Sequence, residues 1–251
     1  MPHPEGVPPA PLDPSLTTPI VAVPGLGLSG AVPGRTLDRL PAPSAVVELP
    51  GYGLPAPRGT ALGSDDLARL LLTRLDELGV TRAVLLGHSA SCQIVVRAAV
   101  RDPHRVAALV LVGPTTDPRA RSWPALAGRW LRTAAWERPG QVPRLVRDYR
   151  RTGLGAMGRG MDAARRDRID RGLAQVGCPV LVVRGPHDRI APQDWVDALA
   201  ATAPHGRAGT LAAGAHMVPL THPGELAAGV GTFLGTAAGV AEPPGRAVRR
   251  S

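Results

Sequence analysis

Ala83-Val84-Leu85-Leu86-Gly87-His88-Ser89-Ala90-Ser91 carries the decisive local pattern of this chain. Four apolar residues in a row suit a strand buried on both faces. The helical pattern of residues 92–101 follows at once, so the chain must turn sharply between the two. Ser89 occupies that turn between small residues, as a strained strand-to-helix elbow requires, because bulky neighbours would clash and the hydroxyl must stand clear of the strand end. The next amide, that of Ala90, becomes a donor for negative charge developing beside the hydroxyl. Ser91 stands where such an elbow has its second glycine, and its Cβ is expected to crowd the turn slightly.

Outward from the elbow, Val- and Leu-rich runs bounded by Gly or Pro recur at Ile20–Val23, 45–49, 82–86, Val106–Val112 and 180–183, with a weaker one at 207–212. Helical patterns fall between them at 64–78, 92–101, 193–201 and 223–234. Strand–helix alternation predicts a doubly wound, mostly parallel α/β sheet spanning residues 20–114 and 173–241. Residues 115–172 break the rhythm: they hold no strand-like run but three of the four Trp, and are expected to form a helical cap inserted between two strands. Residues 1–19 contain seven prolines and read as an extended arm; residues 242–251 read as a basic, disordered tail.

All 29 basic residues are Arg, against 20 acids, for a net charge of +9. Without Lys the chain has no lysine-dependent phosphate loop, Schiff-base lysine or lysine base. Cys92 and Cys178 are far apart and lie in no C-x-x-C pair, which argues against a disulfide framework or cysteine zinc site; no metal and no cofactor is expected. Neither a membrane span nor a signal peptide is legible, so the expectation is a cytoplasmic protein.

A serine at an elbow needs a base, and the base an orienting carboxylate. Asp188 follows the run at 180–183, and His216 follows the weak run at 207–212, so serine, acid and histidine all lie just past strand ends, where open α/β sheets place their ligands. The turn Val23-Pro24-Gly25-Leu26-Gly27 closes the first strand and offers the Leu26 amide as a second donor. His88, His187 and His222 are poorer bases by position: within the elbow, beside the acid, and ahead of a proline.

These motifs together make the sequence resemble an α/β-hydrolase-fold serine hydrolase over roughly residues 20–236. The resemblance rests on Gly87-His-Ser-Ala-Ser, the Pro24-Gly-Leu-Gly turn, Glu48-Leu-Pro-Gly-Tyr-Gly53 (similar to the family's D-x-P-G-x-G loop), Gly185-Pro-His-Asp188 and Gly214-Ala-His216. The stretch from Leu109 to Pro118, with Trp136-Glu137 after it, is similar to a group of actinobacterial hydrolases. The resemblance implies Ser89 as nucleophile, His216 as base and then acid, Asp188 as orienter, and the Leu26 and Ala90 amides as the oxyanion hole. Gly25, His88, Trp123, Trp130 and Met217 are the expected substrate-pocket residues. Pro24 stands where the family has His, and the usual N-terminal strand pair has no counterpart in the proline-rich arm. A six-stranded sheet is therefore expected, with an edge that a homodimer or the arm would cover.

The expected activity is cleavage of a carboxylic ester, lactone or thioester through an acyl-enzyme. Carbon–carbon bond hydrolases and cofactor-free haloperoxidases share the triad, and a non-hydrolytic cyclase or isomerase of natural-product biosynthesis is the alternative on the same fold. The charge is uneven: residues 115–172 carry 14 Arg against six acids. Such a cap suits a small acyl substrate that is anionic or borne on an acidic carrier, rather than nucleic acid, for which no binding module is present.

Overall fold

A computed structural model describes residues 18–240; all but the last two residues of the arm at 1–19, and the whole tail at 242–251, lie outside the described residues. The strand β1 (Ile20–Val23) leads through helix α1 (Ala31–Leu37) to β2 (Ser44–Val46). Two short strands, β3 (Leu49–Pro50) and β4 (Gly53–Leu54), pair with each other, and α2 (Ser64–Glu77) leads on to β5 (Ala83–His88). Next come α3 (Ser91–Arg101) and β6 (Val106–Val112). Four helices follow without a strand: α4 (Trp123–Ala134), α5 (Val142–Thr152), α6 (Leu154–Arg166) and α7 (Ile169–Leu173). The chain then completes the sheet with β7 (Val180–Arg184), α8 (Gln193–Thr202) and β8 (Gly206–Thr210), and closes with α9 (Val218–Thr221) and α10 (Pro223–Val240).

The main sheet has the order β2-β1-β5-β6-β7-β8, and every pairing in it is parallel. Alternate residues along each strand feed opposite layers, as the pleat dictates. Val21, Leu85, Leu109, Leu111 and Val182 pack toward α2, α3 and α8, while Ile20, Val84, Leu86, Val110 and Val183 pack toward α1 and α10. Both faces are thus covered, which is why β1, β5, β6 and β7 read as unbroken apolar runs. The weak sixth run is β8 because it is an edge strand: its residues are exposed or half-buried, so no apolar pattern was needed.

The strand order also fixes where the site must lie. From β1 the chain moves outward to β2, then returns to the other side of β1 as β5 and continues outward from there. The loops after β1 and β5 therefore diverge from adjacent strands at the topological switch point, leaving a crevice at their carboxyl ends. No helix among the described residues is long and apolar enough to cross a membrane.

Within the helical stretch, Ser122 caps α4, its hydroxyl accepting from the Ala125 amide, and Pro124 sits in the first turn. The last helix, α7, packs onto α3 beneath the sheet, where Ile169 and Leu173 join the core. Arg97 reaches Asp167 at 3.3 Å just ahead of it.

Candidate active site

Ser89 is held at φ +59°, alone among the described non-glycine residues in the left-handed region. Its amide donates across to the Val112 carbonyl of β6 at 2.8 Å, which fixes the elbow against the sheet. Gly87 is required here: a Cβ would come within 2.8 Å of the Cys92 backbone on the helix just beyond the turn. The crowding expected at Ser91 does not arise. Its side chain is fully buried and its hydroxyl bridges, accepting from the His88 amide at 2.8 Å and lying 2.9 Å from the Val23 carbonyl, so it ties the elbow to the end of β1.

Asp188 and His216 come together from separate loops. The Nδ1 of His216 lies 2.7 Å from Asp188 Oδ2. The other carboxylate oxygen, Oδ1, accepts from the amides of Ile190 at 2.8 Å and Ala191 at 3.0 Å. Arg184, at the end of β7, donates to the backbone carbonyl of Asp188 at 2.7 Å and so braces the loop. Burial alone would raise the Asp188 carboxyl; the charge and hydrogen bond of His216 and the two amides outweigh it and hold the group below its usual range. For His216, burial would lower the value, but the Asp188 carboxylate, its hydrogen bond and the charge of Glu137 bring it above 6.5. His88 behaves oppositely. It is fully buried, its Nε2 lies 3.0 Å from the His216 carbonyl, and burial, helped by the charge of His216, brings it down to about 3. It therefore stays neutral and acts as a prop under the His216 loop.

The Leu26 and Ala90 amides have no protein acceptor among the described residues, whereas the amides that follow Leu26 are engaged. Gly27 N–H donates to Gly51, and Leu28 N–H to Gly25. The loop at 48–53 thus supports the Leu26 turn, and Glu48 adds a bond from the Gly30 amide at 2.7 Å. A family model described as the alpha/beta hydrolase fold matches residues 18–157, more than half of the chain.

The chain belongs to the alpha/beta hydrolase fold family.

A protein of Mycobacterium phage D29, provisionally named a non-heme haloperoxidase, is 35% identical over 97 residues, covering 38% of this chain. The match spans only 35% of that phage protein's length. A hydrolase from Pseudomonas aeruginosa PA01 superposes with a TM-score of 0.69 at 22% identity, over 87% of this chain and 90% of that one. The enol-lactonase of Burkholderia xenovorans LB400 gives 0.70 at 19% identity, over 87% and 92%. At these identities the two solved structures speak for the fold.

In this alpha/beta hydrolase a cavity of about 790 Å³ is lined in part by α4, α5 and α6. Leu26, His88, Ser89, Trp123, Trp130, His216 and Met217 line it. Ser89 and His216 share this cavity without a hydrogen bond between them, a common state for a site that tightens only around substrate. Gly25 is the exception among the pocket residues. It lies behind the wall, where a Cβ would meet His88 Nδ1 at 2.9 Å, because the buried His88 ring fills the space beneath the turn. A larger hollow of about 1050 Å³ opens at the amino ends of the strands, but no serine, base and acid converge there. Its thiol, Cys178, is pushed up to about 11 by burial.

Sequence reasoning missed Gly113, which follows β6 at φ +56°. A Cβ there would sit 3.0 Å from both Asp188 Oδ2 and His216 Nδ1. The only signal was a glycine directly after a buried strand, which nothing in sequence connects to residues so far downstream. Gly113→Ala is expected to displace the acid–histidine pair and lower kcat about tenfold or more, with little change in KM. Steady-state kinetics beside a thermal melt checks this; unchanged kcat would show that the pair yields without loss.

Proposed function

We propose that this alpha/beta hydrolase cleaves a carboxylic ester, lactone or thioester by acyl transfer to water. The observation that carries the proposal is the 2.7 Å bond between Asp188 and His216 beside a cavity shared with a serine at positive φ. Nδ1–H of His216 donates to Asp188, which leaves Nε2 to take the Ser89 proton as Oγ attacks the acyl carbon. The Leu26 and Ala90 amides donate to the developing oxyanion, two preorganised donors that need no reorganisation. The imidazolium returns the proton to the leaving oxygen or sulfur, and Ser89 keeps the acyl group. Water, deprotonated by the same Nε2, then attacks the ester; the acid leaves and Ser89 regains its proton.

The cavity wall favours an apolar acyl group, through Trp123, Leu126, Trp130 and Leu131. Five of the 14 arginines at 115–172 are paired with acids of the same stretch: Arg119 and Arg129 with Asp117, Arg165 and Arg166 with Asp162, Arg168 with Asp170. The face of α5 bearing Arg144, Arg147 and Arg150 has no ion pair among the described residues, and it supports attraction of an anionic acyl substrate. Such steering weakens as salt is added.

A panel of p-nitrophenyl esters, acyl-thioesters, lactones and dienone acids, with Ser89 fluorophosphonate labelling, tests the reaction. Hydrolysis of an acyl member together with labelling is expected; cleavage confined to the dienone acids would assign the carbon–carbon reaction instead. The phage relative favours one further arm, peroxide-dependent halogenation, in which hydrogen peroxide replaces water at the acyl-enzyme. The base must be neutral to act, and His216 titrates above 6.5, so kcat/KM is expected to fall as pH drops through a value above 6.5. A pH–rate profile flat down to pH 5.5 would remove His216 as the base.

A further inference from the structure

The turn that ends α4 touches the neighbours of both Asp188 and His216. Thr133 Oγ1 accepts the Arg189 amide at 3.0 Å and donates to the Arg129 carbonyl at 2.9 Å, so its hydroxyl ties the acid loop to α4. The Trp136 ring stacks on His187, with centroids 3.8 Å apart and planes within 3°. Glu137 Oε1 accepts the Met217 amide at 2.8 Å, while Oε2 accepts from Gln141 at 3.0 Å. Arg189 and His187 flank the acid; Met217 follows the histidine. The turn is itself stiff, since the Trp136 and Glu137 amides bond back to Thr133 and Ala134.

The same helix supplies the roof of the cavity through Trp123 and Trp130. Both rings are about half exposed, and so is Trp136, although burying it fully in a core would have stabilised the fold more. Spending an indole on a single flat contact with His187 makes sense as orientation. The helix is thus in contact with substrate space on one side and with the acid and base loops on the other.

We propose that Thr133, Trp136 and Glu137 are positioning residues through which the cap helix holds the Asp188 and His216 loops in register, so that seating of the cap and alignment of the catalytic pair are one event. The proposal rests on the acyl-transfer mechanism above and adds a mechanical link to it. A substrate that settles α4 also settles the acid and the base; one too small to touch α4 leaves them loose.

The test uses the full chain, titrated with a fluorophosphonate so that kcat is expressed per reactive Ser89. Trp136→Ala and Thr133→Val are expected to lower that kcat about tenfold while KM changes less than about twofold. Trp136→Phe and Thr133→Ser keep the ring and the hydroxyl and are expected to recover most of it. Glu137→Gln keeps an oxygen for the Met217 amide but removes the charge. Asp188 at 2.7 Å and Glu137 both raise His216, and the neutral His88 ring lies 5.1 Å from it. Deleting the Glu137 charge is therefore expected to move the acid limb of kcat/KM to lower pH, a shift that a purely structural role would not produce. Unchanged kcat per titrated site in all of these variants, with the limb in place, overturns the proposal. Failure of the wild-type chain to label or turn over overturns the acyl-transfer mechanism instead, so the two failures are distinct. If Trp136→Ala does not fold, Thr133→Val, set against Thr133→Ser, and Glu137→Gln still decide the matter.

Discussion

Ser89→Ala is expected to lower kcat by about 10⁴- to 10⁶-fold and to abolish fluorophosphonate labelling. The size of the effect follows from the acyl-enzyme route, in which no other group in the cavity replaces Oγ as the atom that bonds the acyl carbon. What remains is water attack assisted by the two free amides and by substrate binding. The substitution is well suited to the test because it leaves the elbow alone. Alanine and serine both carry a Cβ, so the left-handed backbone at φ +59° costs each of them about the same. The amide bond to Val112 involves the main chain and persists. A thermal midpoint near that of the wild type, combined with lost turnover, is the expected pair of results. Full labelling of the variant would place the nucleophile elsewhere.

Asp188→Asn is the second large effect, a fall in kcat of about 10⁴-fold with the fold intact. The two carboxylate oxygens divide the work. Oδ1 takes the Ile190 and Ala191 amides, and Asn retains that oxygen, so the loop keeps its shape. Oδ2 faces His216 Nδ1, and there Asn presents an NH₂ donor. The ring must then turn its lone pair to Nδ1 and carry its proton on Nε2, the tautomer that cannot accept from Ser89. Loss of the carboxylate also removes the largest influence raising the His216 value, so residual activity is expected to persist to lower pH than in the wild type. Wild-type rates in Asp188→Asn, measured beside an unchanged circular dichroism spectrum, would mean that the pair is structural.

The sequence was most legible where burial on both faces forces a composition. Every strand expected from a Val- and Leu-rich run exists, because a parallel sheet between two helical layers leaves no solvent face on which polar residues could interrupt the run. Ser89, Asp188 and His216, the proposed triad, could be picked out because strand ends mark where an α/β sheet presents side chains. Helix α1 was not, since Pro33 and Gly34 argue against helix locally and tertiary packing of Val32 and Leu37 overrides them. Gly113, Ser91 and the α4 turn escaped for another reason. Their roles consist of contacts with residues far off in sequence, and no local pattern records what a glycine lies beside or which amide a threonine receives. Gly25 failed in the opposite sense: its motif was right, but the buried His88 ring stands between it and the cavity.

The strand order also carries a consequence for biosynthesis. The serine strand β5 lies in the middle of the sheet, flanked by β1 and β6, and all three leave the ribosome before β7 and β8. The prop from His88 to His216 closes a separation of 128 residues, so His88 waits for a partner that is made late. A nascent chain can thus hold a folded sheet centre and an elbow while remaining chemically silent. On the proposed mechanism, acyl transfer therefore waits for the last part of the chain to dock.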